Sequence, residues 1–552
     1  MRAFIAVVLI AVCNSAALAQ PGGAQSGPDR HQPPRLAAVS PDWEAARKAA
    51  LRSPSGDEIA LPRLNEALAA DFPGIGDSPL PVLLPLDVAR LMRDRESGSA
   101  GPVAGYLAGF RPTGFFLTGP AGYDAAFSVR TAETDNLRDI RFADPVVVEI
   151  SASAFHYMLP PPSGVSELPV RGPEAKFPNI RRFILEHYLR YSFEAFGVTY
   201  VVSISCFDGR ARPRWISCQA ADRIAVAFIE ALTLAGGTPS DRPLPVAVAA
   251  ERPRTVSSVF TYHAPGDLIP NTGFQQHGGV ADRTVYMPMR FPFADAPAFV
   301  NSQSFMNWGD CDQTGRTPHP RGRKNVSYRC RLNDKPLVFF EGAAENYSYP
   351  WRDNFCERRH FAVGQCPGGR GHQGVDIRPA TCELKNEGAD RCQAYRDDLV
   401  AVRAGMILRA PKQESVYLTV NAPGEHVRVR YLHMHPDRLD DAGLVSGRRL
   451  AEAEVIGRAG NFNRRDNLTT YHLHFEMFVP TREGWVRVNP YMTLVAAYER
   501  LIRARGREIE SPARPAEPAT DARAPGETER GATVPNTSAA KKKRIKRKKR
   551  RR

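Results

Sequence analysis

An alternation near the C-terminal end of this chain restricts its fold more than any other feature. Over residues 471–477, His472, His474 and Glu476 alternate with Tyr471, Leu473, Phe475 and Met477. A period of two belongs to a β-strand, whose successive side chains face opposite ways. Here it predicts a half-buried strand with one polar and one apolar face. On a helix, residues two apart would diverge by roughly 200°, and His472 and His474 could not serve one centre. Two further stretches carry related chemistry. Residues 371–377 place His372 and Asp376 four apart, on one strand face. Residues 429–435 read Val-Arg-Tyr-Leu-His-Met-His, with His433 and His435 on one face. Two imidazoles and a carboxylate converging on one point fit a catalytic zinc centre with water in the open fourth position. Structural zinc sites are closed, usually by cysteine, and no Cys-x-x-Cys pair exists here.

These segments, in this order, resemble the lysostaphin-like zinc metallopeptidases, which cut peptide cross-links in bacterial cell walls. The family pattern is His-x-x-x-Asp, then a strand with Tyr-x-His, then His-Leu-His-Phe-Glu. In this chain it falls on His372 with Asp376, Tyr431 with His433, and residues 472–476. The resemblance covers about residues 340–500, the size of one domain. It implies a mainly antiparallel β-sheet catalytic domain with one Zn2+ held by His372, Asp376 and His474. His433 and His472 would be catalytic histidines outside the ligand set, one working as acid and base and the other stabilising an oxyanion. His433 takes that role over His435 because it stands two after Tyr431. Glu476 is expected to orient a ligand. The implied reaction is hydrolysis of peptidoglycan stem-peptide cross-links by attack of a zinc-bound water. The alternative, from another class, is a latent or non-catalytic relative that binds the wall and activates another hydrolase. Two departures bear on specificity. The small-residue turn before the final motif is replaced by residues 461–471, longer, polar and Arg-containing, and an insert with two cysteines follows Asp376.

The remainder of the 552 residues is long enough for several domains, and 43% apolar residues can fill their cores. Residues 1–19 read as a secretory signal: Arg2, an apolar run from Phe4 to Val12, and a small-residue cleavage site before Gln20. A lipoprotein signal using Cys13 is disfavoured by the bulk of Val12. The run is too short to span a membrane well, so the expectation is an exported protein, periplasmic or extracellular, with no transmembrane segment in the mature chain. Eight cysteines remain after Cys13, and their grouping favours four local disulfides, 206–218, 311–330, 356–366 and 382–392. Thiolate metal binding lacks the spacing and suits another redox compartment.

Residues 20–79 are expected as a flexible leader with short helices. Residues 80–240 read as an α+β domain of unassigned role, with a helix over 178–196, a strand over 198–205 and a second helix over 220–235. His156, His187 and Asp208 are expected to be structural there. Residues 241–340 form a linker and β-rich extension, with a strand over 284–289. His263, His277 and His319 lie in it without ligand spacing. Residues 341–505 are expected to form the metallopeptidase domain that the resemblance implies, with aromatic residues Tyr347, Tyr349, Trp351 and Phe355 as either groove wall or core. Residues 506–552 should be a disordered tail. Of its last twelve residues, from Lys541 to Arg552, all but Ile545 are basic, supplying eleven of the fifteen net positive charges. With an export signal, an anionic envelope surface is the fitting partner. A nucleic-acid partner rests on this tail alone and conflicts with export and disulfides, so it ranks last.

Overall fold

The computed structural model describes residues 34–50, 60–142, 145–208, 216–240, 282, 284–300, 310–318, 324–332, 335–337, 351, 353–356, 359, 361–379, 395–465, 469 and 471–503, with the backbone alone over 310–337. The chain divides into two units, residues 1–510 and 511–552, and every described residue belongs to the first.

The N-terminal elements are β1 (Arg35–Ala38), α1 (Trp43–Ala49), α2 (Leu61–Leu68), β2 (Val82–Leu84), α3 (Val88–Glu96), β3 (Phe110–Gly119), β4 (Gly122–Val129), β5 (Val147–Ser153), β6 (Phe155–Met158), β7 (Ser166–Leu168), β8 (Arg181–Leu185), β9 (Tyr188–Ala195), β10 (Val198–Ser205), α4 (Cys218–Ala231) and β11 (Thr233–Gly236). Helix starts follow capping chemistry: Asp42, Asp87 and Ser217 accept from the backbone N–H of Ala45, Arg90 and Ala220. Seven strands form one antiparallel sheet in the order β3-β4-β5-β10-β9-β8-β7. One face of it carries Tyr123, Phe127, Ile150, Tyr191, Phe193 and Tyr200 into a core shared with the helices, including Leu64, Leu91 and Phe228. Residues 34–50 and 60–79, expected as leader, carry the two short helices, and Ala46, Leu61 and Leu64 lie in this same core.

The C-terminal elements are β12 (Ala298–Val300), β13 (Asp310–Pro318), β14 (Lys324–Leu332), β15 (Lys335–Leu337), β16 (Phe361–Ala362), β17 (Arg370–Gly371), β18 (Val375–Pro379), β19 (Asp398–Val400), β20 (Gly405–Leu408), β21 (Val416–Ala422), β22 (Glu425–Leu432), α5 (Pro436–Asp441), β23 (Arg449–Leu450), β24 (Val455–Arg458), β25 (Leu473–Thr481), β26 (Gly484–Val488) and α6 (Tyr491–Ile502). An antiparallel sheet runs β12-β18-β25-β22-β21-β20-β23, with β26 also on β25. Leu473, Phe475, Met477, Val427, Val429 and Tyr431 share the core of α6. Trp351 and Phe355 are buried in that core, with the Trp351 indole donating to the Ala298 carbonyl at 3.0 Å, which decides for core over groove wall at these two positions.

The opposite faces of the two sheets meet, and both are polar. Asp124 accepts from His426 (2.8 Å) and Trp485 (3.1 Å), Glu149 from Arg428 (2.6 Å), and Glu186 from Arg487 (3.0 Å). Small apolar clusters, Phe115 with Met406 and Phe183 with Val486, complete the contact. Strand β25 is therefore buried on both faces rather than half-buried. Its Glu476 is tolerated inside because Arg430 and Arg487 on the neighbouring strands meet it, and the N-terminal sheet contributes counter-charges to Arg428 and Arg487 in turn.

The helix expected over 178–196 is instead the hairpin β8–β9. Ile180, Phe183, Ile184, Tyr188 and Tyr191 fall at largely helical spacing. Phe183, Leu185, Leu189, Tyr191 and Phe193 fit a period of two and are all buried, and aromatic residues suit a sheet with two covered faces. The helix expected over 220–235 begins at Cys218 and ends at Ala231, because residues 233–236 pair with β2. Residues 284–289 form no strand, although Tyr286, Met287 and Met289 are buried in the core of the C-terminal sheet. Disulfides Cys206–Cys218 and Cys356–Cys366 are present as expected. Cys311 and Cys330 face each other in backbone register across β13 and β14. The signal segment, the linker, His263, His277, His319, Tyr347, Tyr349, Cys382, Cys392 and the basic tail lie outside the described residues. Among the described residues no helix is long and apolar enough to cross a membrane.

Candidate metal centre

Strand pairing creates the centre. Asp376 on β18 lies directly opposite His474 on β25, so both side chains leave the same sheet face. His372 approaches from the segment just before β18. The three offer ligand atoms that all lie within 4.8 Å of one another. His474 Nδ1 is 2.8 Å from Asp376 Oδ1 and 3.1 Å from His372 Nε2, and His372 Nε2 is 3.3 Å from the same carboxylate oxygen.

Hydrogen bonding outside this triangle assigns the ring protons. His372 Nδ1 is 2.8 Å from the Asn354 carbonyl, which can only accept, so the proton sits there and Nε2 turns a lone pair inward. His474 Nε2 is 3.3 Å from Glu476 Oε1, an acceptor for its ring proton outside the triangle. Burial works downward on its imidazole, but the Asp376 and Glu476 carboxylates raise it. With the proton on Nε2, Nδ1 is left to face a cation. Three electron-pair donors thus converge with their protons directed away, the arrangement a bound cation resolves. Tetrahedral zinc bonds of roughly 2.0–2.1 Å would place adjacent ligand atoms roughly 3.3 Å apart. The residues present fit the ion.

His433 follows the last residue of β22 and has φ of 75°, a left-handed conformation uncommon for a non-glycine residue. That kink ends the alternation. His433 and His435 therefore do not share a face, contrary to the strand reading. His435 instead caps α5, its Nδ1 accepting from the Asp437 N–H at 3.2 Å. His433 Nδ1 donates to the Phe462 carbonyl at 2.7 Å, within the residue 461–471 segment. Its ring lies 4.8 Å from that of His472 and 6.1 Å from that of His474. His472 Nε2 is 3.3 Å from Asp376 Oδ1. All five residues expected at the site are therefore together, and all are buried, His433 being the most exposed at 9%.

Burial pushes the His433 imidazole well below its ordinary value, helped by His472 and His474, and so keeps it neutral. His472 is lowered for the same first reason, burial, against the Asp376 carboxylate. For Asp376 burial works upward, but the facing His372 and His472 rings hold its carboxyl well below the usual range. Glu476 is also held low: burial opposes, and Arg487 and Arg430 prevail, at 2.7 and 2.8 Å.

Residue types alone did not reveal several supports. The Asn354 and Phe462 carbonyls carry no signal in a sequence. Arg430 and Arg487 do: each sits on the polar parity of its strand, and Arg430 pairs in register with Glu476. His156 is buried, and Asp208 accepts from the Cys218 N–H at 2.8 Å, a structural use.

Neither family models nor curated proteins give a match to this chain. Two solved structures show local likeness. One is a candidate glycyl-glycine endopeptidase lytM from Ruminococcus gnavus ATCC 29149, 22% identical, covering 24% of this chain and 49% of that one, with TM-score 0.19. The other is the antimicrobial peptidase lysostaphin from Staphylococcus simulans, 18% identical, covering 26% and 52%, with TM-score 0.17. The chain thus spans about half the length of each structure it matches.

Proposed function

We propose that this chain is an exported zinc metalloendopeptidase that hydrolyses the peptide cross-links of peptidoglycan. The observation that carries the reading is the inward triangle of His372 Nε2, Asp376 Oδ1 and His474 Nδ1, with both ring protons held outward by Asn354 and Glu476. A zinc ion there would supply Lewis acidity, polarising an amide carbonyl and acidifying water.

The protein's own groups handle the proton. His433, neutral by burial and fixed through Nδ1 to the Phe462 carbonyl, presents Nε2 as the base. It takes a proton at that atom and returns it to the leaving amine. His472, with Nε2 beside a carboxylate oxygen that can only accept, carries its proton into the site and is suited to stabilise a developing oxyanion. His433→Ala is expected to lower kcat by roughly 10²–10⁴-fold while leaving metal content unchanged. Parallel metal analysis and single-turnover cleavage read the two quantities separately.

The burial of all five residues favours one second reading, a latent form whose groove opens only on a partner or on processing. Incubating the mature protein with isolated sacculi, with and without a zinc chelator, separates the two. Chelator-sensitive release of new amino groups is expected, and the products identify the bond cut. Zinc-loaded, folded protein that releases nothing would contradict the active reading and support the latent one. Targeting by the basic run 541–552 would appear as salt-sensitive binding to anionic envelope preparations.

A further inference from the structure

We propose that Glu186, supplied by the N-terminal sheet, is a positioning residue for the metal centre. The β8–β9 hairpin turns through just two residues, Glu186 and His187, with φ of 55° and 66°. Two-residue turns with both central φ angles positive ordinarily take Asn and Gly. Placing Glu and His there carries backbone strain, and such strain concentrates where a side chain must be aimed. Glu186 is aimed into the interface and is 4% exposed.

Its two carboxylate oxygens serve different arms of the site. Oε2 accepts from Arg487 at 3.0 Å, Arg487 Nε donates to Glu476 Oε2 at 2.7 Å, and Glu476 Oε1 accepts from His474 Nε2 at 3.3 Å. Oε1 accepts from the Gly364 N–H at 2.9 Å. Gly364 lies in the loop closed by Cys356–Cys366, and the Cys356 N–H donates to the His372 carbonyl at 3.1 Å. Asn354, two residues earlier, accepts from His372 Nδ1. Gly364 is itself tightly packed, since a methyl group on it would come within 2.6 Å of Pro162 Cβ. One N-terminal carboxylate therefore braces the supports of two of the three ligands. The N-terminal domain is then part of the machinery that holds the metal, rather than a separable module. Partners one step beyond a ligand commonly affect metal affinity by roughly 10–100-fold.

The inference rests on reading His372, Asp376 and His474 as the metal site. Its test compares Glu186→Gln and the shortened but still charged Glu186→Asp with Glu149→Gln, in the full mature chain. Glu149→Gln removes another interdomain ion pair, to Arg428, that does not reach a ligand. Zinc affinity is measured by competition with a chromophoric chelator, the visible bands of the cobalt-substituted protein report ligand geometry, and thermal unfolding of the metal-free protein reports stability. Glu186→Gln is expected to weaken zinc about tenfold and alter the cobalt bands, with Glu186→Asp intermediate. Glu149→Gln should lower the unfolding temperature and leave zinc affinity and cobalt bands unchanged. Unchanged affinity and bands in Glu186→Gln, or in Glu186→Asp should the first variant not fold, would overturn the inference while leaving the metal site standing. Equal weakening by Glu149→Gln would also overturn it, marking a general interface effect. A wild-type protein that binds no zinc would overturn the site reading and this inference together.

Discussion

His474→Ala is expected to leave a folded protein that no longer retains zinc and has lost at least roughly 10²–10³-fold in cross-link cleavage. The magnitude follows from the several kcal/mol of transition-state charge stabilisation that a catalytic metal supplies. His474 Nδ1 sits 2.8 Å from Asp376 and 3.1 Å from His372, and its Nε2 proton is held by Glu476. Truncation removes one donor of three. Glu476 keeps Arg430 and Arg487, so the sheet retains its charge balance. Metal content after dialysis and sacculus digestion measure the two losses, and circular dichroism checks the fold. The contrast with His433→Ala is diagnostic, because that variant should keep its metal. Retention of one tightly held zinc per chain in His474→Ala would place the centre elsewhere.

Arg487→Ala is expected to destabilise the protein by about 3–5 kcal/mol, the usual cost of removing one partner from a buried ion-pair network. Arg487 bridges Glu186 at 3.0 Å and Glu476 at 2.7 Å, and both carboxylate side chains are fully buried. Removing the guanidinium takes a partner from one buried carboxylate in each domain. Glu476 retains Arg430, while Glu186 keeps the neutral Gly364 N–H, so the N-terminal hairpin bears most of the cost. Denaturant unfolding followed by tryptophan fluorescence reads the loss. Arg487→Lys should recover part of it, since a lysine restores the charge but not the forked geometry. A change below about 1 kcal/mol, the range of an exposed pair, would mean that the two sheets do not hold this contact shut in solution.

Much of the site was legible in the sequence because strand parity is a local property. His474 and Glu476 had to leave one face of β25 while Leu473, Phe475 and Met477 left the other, whatever the rest of the chain did. Disulfides 206–218 and 356–366 were readable for the same reason, as their partners are ten to twelve residues apart. The hairpin over 181–195 was not, since its apolar residues satisfy both periods and only packing between two layers selects the strand. Nor was the separation of His433 from His435, which depends on a left-handed residue where alternation predicts an extended one.

Local sequence assigned the side on which each residue emerges, and the motif resemblance singled out the five residues of the candidate centre. It was silent on what stands opposite. The polar faces of β22, β25 and β26 look solvated in the sequence, yet Arg428 and Arg487 are buried against Glu149 and Glu186, more than two hundred residues away. A charge can be withdrawn from water only when a counter-charge meets it. That pairing exists only once two sheets, each ordered by its own alternation, have closed on each other.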